Sequence, residues 1–116
     1  MKFISKIFIG FLLVLTLMLI SNSACGQIKV MHFNAEWNKD NKVSWIKKLT
    51  DCKVSSVDIV ENTKAKKKYK IVIVPTIVIF KDGEEVKRFQ ADLSFAMIAT
   101  REEVQEYIDE LIMSDF

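Results

Sequence analysis

The chain is poor in the residues that most often carry chemistry. Its 116 residues include one histidine, two cysteines and one proline. One histidine and two cysteines, at this spacing, make no metal-ligand set, so neither a metal nor another cofactor is expected. No Cys-x-x-Cys occurs, and the cysteines, Cys25 and Cys52, stand far apart. There is no repeat, low-complexity tract or linker, and the length allows one domain at most. An excess of one charge sign is also missing. The formal net charge is +2, and without Lys2 and Lys6 the remaining chain has fifteen basic and fifteen acidic residues. No global basic field favours nucleic acid as a partner.

Apolar runs of full membrane-spanning length are scarce too. The longest apolar stretch, Ile7 to Ile20, is broken only by Gly10 and Thr16. It falls short of the ~20 residues a spanning helix needs. Lys2 and Lys6 precede it, and Ser21-Asn22-Ser23-Ala24-Cys25-Gly26 follow. This basic, apolar, small-residue order reads as a secretory signal over 1–26, with an uncleaved anchor as the alternative. The protein is therefore expected to be exported: periplasmic, secreted or lipid-anchored in a bacterial envelope. Cleavage after Gly26 would leave Gln27 first. Alternatively, Ser23-Ala24-Cys25-Gly26 is similar to a bacterial lipobox, with Asn22 where that motif usually has Leu, and a lipidated Cys25 would anchor the chain to a membrane.

Residues 27–116 then form the domain. "IKVMHFNA", 28 to 35, reads as a buried strand. From Asn38 to Thr50 the apolar residues Val43, Ile46 and Leu49 recur every three, beside Trp45, which predicts a helix. "KVSSVDIV", 53 to 60, is a second strand, and Asn62 can cap a short helix over 63–69. "IVIVPTIVIF", 71 to 80, is almost wholly apolar, and a buried central strand should start near Thr76, after Pro75. Asp82-Gly83 is a strong two-residue hairpin signal, returning the chain as a strand over 85–90. Thr100-Arg-Glu-Glu103 is a capping box, followed by an apolar stripe of Val104, Tyr107, Ile108, Leu111 and Ile112. The order is β-α-β-α-β-β-α: an α/β fold with a mixed four-stranded sheet and helices on both faces.

That order and four local motifs resemble the thioredoxin family. "FNAEWNKDN", 33 to 41, is similar to its active-site segment, a strand leading into Ala-Glu-Trp and Cys-Gly-Pro-Cys. Ile73-Val74-Pro75-Thr76 is similar to its cis-proline loop, "FKDGEEV", 80 to 86, to its hairpin, and "KKYKI", 67 to 71, to the segment before the proline loop. The resemblance covers nearly all of 28–112 and implies a minimal thioredoxin-like core without the usual first strand and helix. It places Asn38 and Asn41 where the family has both redox cysteines. Thiol–disulfide exchange needs a low-pKa thiolate at the helix start, then a second thiol to displace it. An amide does neither, so no catalytic residue is expected. Asn38 reads as a helix N-cap, or else the two amides bond a partner's backbone.

By the same resemblance, His32 falls where the family has a buried acid, and the usual lysine neighbour maps to Ser56. Without a nucleophile beside it, His32 reads as a strand histidine bonded to a neighbour. The family's peptide groove maps to Asn34–Asn41, Val74–Thr76 and Gln90–Ala99. The implied binding residues are Trp37, Asn38, Asn41, Val74, Pro75, Thr76 and Phe95. Val74 would offer its N–H and C=O to an extended peptide if Pro75 is cis. "DLSFAMIA", 92 to 99, is longer than in the family, and Leu93, Phe95, Met97 and Ile98 either complete the core or form an apolar lip on the groove.

Three functions compete: a redox-inactive exported module binding a protein or peptide segment, a thiol-disulfide oxidoreductase acting through Cys52 or a partner's thiol, and an envelope lipoprotein scaffold. Cys52 precedes the second strand, so it should lie at the opposite end of the sheet from Trp37 and Asn38, roughly 20 Å away. A structural bridge to Cys25 or an intermolecular disulfide are its other uses. "KAKKKYK", 64 to 70, is either a solvated helix face or a patch for anionic headgroups.

Overall fold

The computed structural model of the protein describes residues 27–114. The signal reading of 1–26, and with it Cys25, lies outside the described residues. Four strands form one mixed sheet in the order β2-β1-β3-β4: β1 (Ile28–Asn34), β2 (Lys53–Asp58), β3 (Thr76–Lys81) and β4 (Glu84–Gln90). β1 and β2 are parallel, with Lys29 opposite Lys53 and Asn34 opposite Asp58. β3 runs antiparallel to both β1 and β4. The short helix α1 (Thr63–Lys68) packs on one face and α2 (Arg101–Met113) on the other.

Local chemistry accounts for these elements. Asp82 and Gly83 both take positive φ, 52° and 86°, as a tight two-residue hairpin requires. The Asn62 side chain accepts a hydrogen bond from the Ala65 N–H and opens α1. Thr100 accepts from the Glu103 N–H and opens α2. Alternation along β1 divides the core. Ile28 and Val30 join Ile77, Ile79, Val104 and Ile108 on the α2 face. Met31 and Phe33 join Ala65, Ile71 and Val78 on the α1 face.

The helix expected from Asn38 to Thr50 is a different structure. Two 3-10 turns, Glu36–Asn41 and Ile46–Lys48, replace it, and Lys42 between them has extended backbone. The i→i−3 bonds run Lys42 N–H to Lys39 C=O, Ile46 N–H to Val43 C=O and Leu49 N–H to Ile46 C=O. The every-third spacing of Val43, Ile46 and Leu49 suits this geometry, since residues three apart eclipse in a 3-10 turn. All three are buried. The segment also sets Asn38, Asp40, Asn41, Val43 and Ser44 close together, and their side chains compete with or crowd an α-helix.

Ile108 is fully buried between α2 and the sheet, while Met113 at the end of α2 is largely exposed. Ile108→Ala should cost about 2–5 kcal/mol in urea unfolding, and Met113→Ala less than about 0.5 kcal/mol.

Candidate functional site

The carboxyl end of β1 meets three loops, and the side chain of Asn38 joins them. Asn38 is only 5% exposed. Its Nδ2 donates to Asn34 Oδ1 at 3.1 Å and to the Phe95 carbonyl at 3.1 Å, with the Val74 carbonyl a third, longer acceptor at 3.5 Å. Its Oδ1 accepts from Asn41 Nδ2 at 3.0 Å. Asn34 Nδ2 returns a bond to the Asn38 carbonyl at 3.2 Å. Backbone carbonyls only accept, so the amide has one orientation that satisfies this set. Asn38 does not cap a helix through its side chain: Ala35 holds the N-cap position, and no side-chain bond caps the turn. Two N–H donors and one acceptor, committed inward, are what a thiol at this position could not supply.

The proline loop is the second wall. The Val74–Pro75 peptide is cis. Val74, Pro75 and Thr76 are all buried, and the Thr76 hydroxyl donates to the Ile73 carbonyl. The Pro75 carbonyl accepts from the Ala91 N–H at 3.0 Å, which ties this wall to the third loop.

The loop after β4 divides its apolar residues. Met97 and Ala99 pack against the α2-face core, and Ala91 bridges to Met97. Leu93, Phe95 and Ile98 stay exposed, Leu93 at 92%. Met97 thus completes the core, while Leu93, Phe95 and Ile98 are left on the surface. Asp92 shapes the exposed half by accepting from the Ser94 N–H and hydroxyl, and these bonds hold its carboxyl below the ordinary range. Phe95, at φ 63°, meets Trp37 edge to face with ring centroids 5.3 Å apart. Trp37 is 62% exposed.

The seven residues singled out in the sequence therefore lie on two levels. Asn38, Val74, Pro75 and Thr76 form a buried floor, while Trp37 and Phe95 face solvent. Asn41 is exposed, but its amide is turned onto Asn38. Sequence reasoning missed Asn34, which exchanges two bonds with Asn38, although a third amide four residues before Asn38 was a visible signal.

His32 lies behind the floor. It is buried; its Nε2 accepts from the Val43 N–H at 3.4 Å and its Nδ1 lies 3.2 Å from the Ser56 hydroxyl. An acceptor Nε2 leaves the proton on Nδ1, so the ring is neutral. Burial lowers its pKa to about 4. His32 forms part of an open cavity of about 500 Å³ that Lys39, Lys42, Lys47 and Asp58 also line. Cys52 is half-buried at the far edge, where it precedes Lys53, the partner of Lys29 at the start of β1. Burial, then the Asp51 carboxylate, pushes its thiol pKa up, away from the thiolate that exchange needs.

Asn38→Ala should cost about 1–3 kcal/mol, because it leaves Asn34, Asn41 and the Phe95 carbonyl without their partner. Hydrogen exchange at Asp92–Phe95 should rise with it. For His32, the unfolded ring titrates near 6.5 and the folded ring near 4. Its contribution is complete above pH 6.5 and is lost as pH falls toward 4, since the unfolded chain binds the proton first. The full effect is roughly 3 kcal/mol. Urea midpoints between pH 6.5 and 5 should fall in the wild type and stay flatter in His32→Gln.

The family model for thioredoxin matches residues 15–103, beginning inside the apolar run. Among solved structures, a mutant thioredoxin from Halobacterium salinarum NRC-1 is similar at 23% identity and TM-score 0.60, over 75% of this chain and 76% of that one. Thioredoxin-2 of the malaria parasite gives 16% and 0.58, over 73% and 84%. Fasciola hepatica thioredoxin gives 25% and 0.51, over 85% and 89%. No curated protein sequence matches at a significant level. With its sheet order, its cis-proline loop beside the β1 turn and a family match over most of its length, the chain belongs to the thioredoxin family.

Proposed function

We propose that this is an exported thioredoxin-family module without thiol chemistry at the motif. It holds an extended segment of another polypeptide against Trp37, Phe95 and the proline loop. The observation that carries this reading is the Asn38 network. Both positions that would bear redox cysteines carry amides, bonded to each other and to the surrounding loops. The aromatic pair beside them is left exposed. Rigid aromatic side chains bury much area at little entropic cost, as binding anchors do. A strand-addition contact at Val74 would use its N–H and share its carbonyl with the long Asn38 bond. Lys2, Lys6 and the apolar run support export.

Two assays test the two halves of the proposal. In dithiothreitol-driven reduction of insulin, neither the protein nor Cys52→Ser should accelerate the reaction. Acceleration lost in Cys52→Ser would instead assign an oxidoreductase acting through that thiol. With reduced, carboxymethylated α-lactalbumin as an extended-chain probe, the protein should bind, and the Trp37→Ala, Phe95→Ala double variant should bind at least about tenfold more weakly. Equal binding by both would remove the groove as the site.

A further inference from the structure

The lysine run after Asn62 lies away from the Asn38 floor, and the fold extends it. α1 sits on the sheet through Ala65, on the face where Met31, Phe33 and Val78 point. Lys64, Lys66, Lys67, Lys68 and Lys70 are all exposed there. Strand alternation adds two more. Lys29 shares its side of β1 with Met31 and Phe33, and Lys53 shares its side of β2 with Val57, which packs on the same core. The register sets Lys29 and Lys53 side by side, and both are exposed. Against these seven lysines stand Glu61, in the loop leading to α1, a Glu85 that Arg88 holds at 2.8 Å, and, at the edge by Lys29 and Lys53, Asp51 and the Asp82 that accepts from the Gln27 N–H.

The opposite face differs. α2 carries Glu102, Glu103, Glu106, Asp109 and Glu110 against Arg101, and the basic residues near it, Lys47 and Lys48 on the second 3-10 turn and Lys87 over the Tyr107 ring, lie outside the helix. An anionic surface would attract the α1 face and repel α2, so it would orient the domain as well as bind it.

We propose that the α1 face docks on a membrane through anionic phospholipid headgroups. Lysine suits this role, being a compact charge on a flexible stem that reaches phosphates without a fixed geometry. The chain itself favours lipid over a nucleic acid. In the anchored or Cys25-lipidated form the membrane would hold the chain ahead of Gln27, which is bonded to the Asp82 turn, two residues from Lys29 and at the edge where Lys53 lies. The ring that a base would stack on, Tyr69, is half-buried and already packed against Phe33 and Phe80. Trp37 lies at the other end of β1, so docking leaves the aromatic pair accessible.

The test uses the full chain and sedimentation with vesicles of phosphatidylcholine alone or in equal mixture with phosphatidylglycerol. Binding should be stronger to the mixture and weaken with added salt. The variant with Lys64, Lys66, Lys67 and Lys68 each changed to Gln should lose at least about a hundredfold of the preference, at about fivefold per lysine near the surface. Lys47→Gln with Lys48→Gln, on the other face, should keep it. In the wild type, the mixed vesicles should slow amine labelling of Lys29, Lys53 and Lys64–Lys68 and leave Lys47 and Lys48 unchanged, a readout that does not depend on the variant folding. Equal partition to both vesicles, uniform labelling, or binding to heparin without preference for phosphatidylglycerol would overturn the proposal. So would salt-sensitive self-association lost in the quadruple variant, which would give the face to a second copy.

Discussion

A single buried carboxamide holds the functional end of this fold together. Asn38 bonds to residues four, three and fifty-seven positions away, and lies within reach of the Val74 carbonyl thirty-six away. Three loops meet on it, and the Ala91 N–H to Pro75 carbonyl bond and the Trp37–Phe95 contact tie them further in pairs. Buried polar groups without partners are costly, so a network satisfied this fully resists rearrangement. With the Asn38 side chain directed inward, the neighbouring Trp37 faces solvent beside Phe95. The structural tie and the proposed binding surface are two sides of one turn.

The buried polar groups of this region are neutral. His32 is held uncharged by burial and accepts a backbone N–H, Ser56 is its side-chain neighbour, and Asn34, Asn38 and Asn41 carry no charge. Charge surrounds them: Glu36 and Lys39 pair at 3.8 Å on the surface of the same turn, lysines crowd the α1 face and carboxylates line α2. The charged flanks respond to ionic strength, and the buried amides do not.

Much of this was legible in the sequence where the cause is local. Asp82-Gly83, the Asn62 cap, the Thr100–Glu103 box and the start of β3 at Thr76 are read from adjacent residues, and each lies where expected. The segment from Asn38 to Thr50 was legible in its apolar face but not in its helix type. A repeat of three fits either form until the amides commit the backbone to 3-10 turns. The partners of Asn38 could not be read at all, because the Phe95 carbonyl reaches it only once β3, β4 and the following turn are placed. Likewise, Lys29 and Lys53 join the α1 lysines only through the β1–β2 register. The loop after β4 looked uniform by composition; in the structure Met97 and Ala99 pack on the core while Leu93, Phe95 and Ile98 stay exposed.

The most direct test of this account is the solvent exchange rate of the Asn38 side-chain NH2 protons, measured by 15N NMR. A buried amide bonded to Asn34 and to the Phe95 carbonyl should exchange far more slowly than the exposed Gln27 amide, and Asn34→Ala should speed it up. Exchange as fast as at Gln27 would mean that Asn38 does not join the three loops, and the central claim would fail.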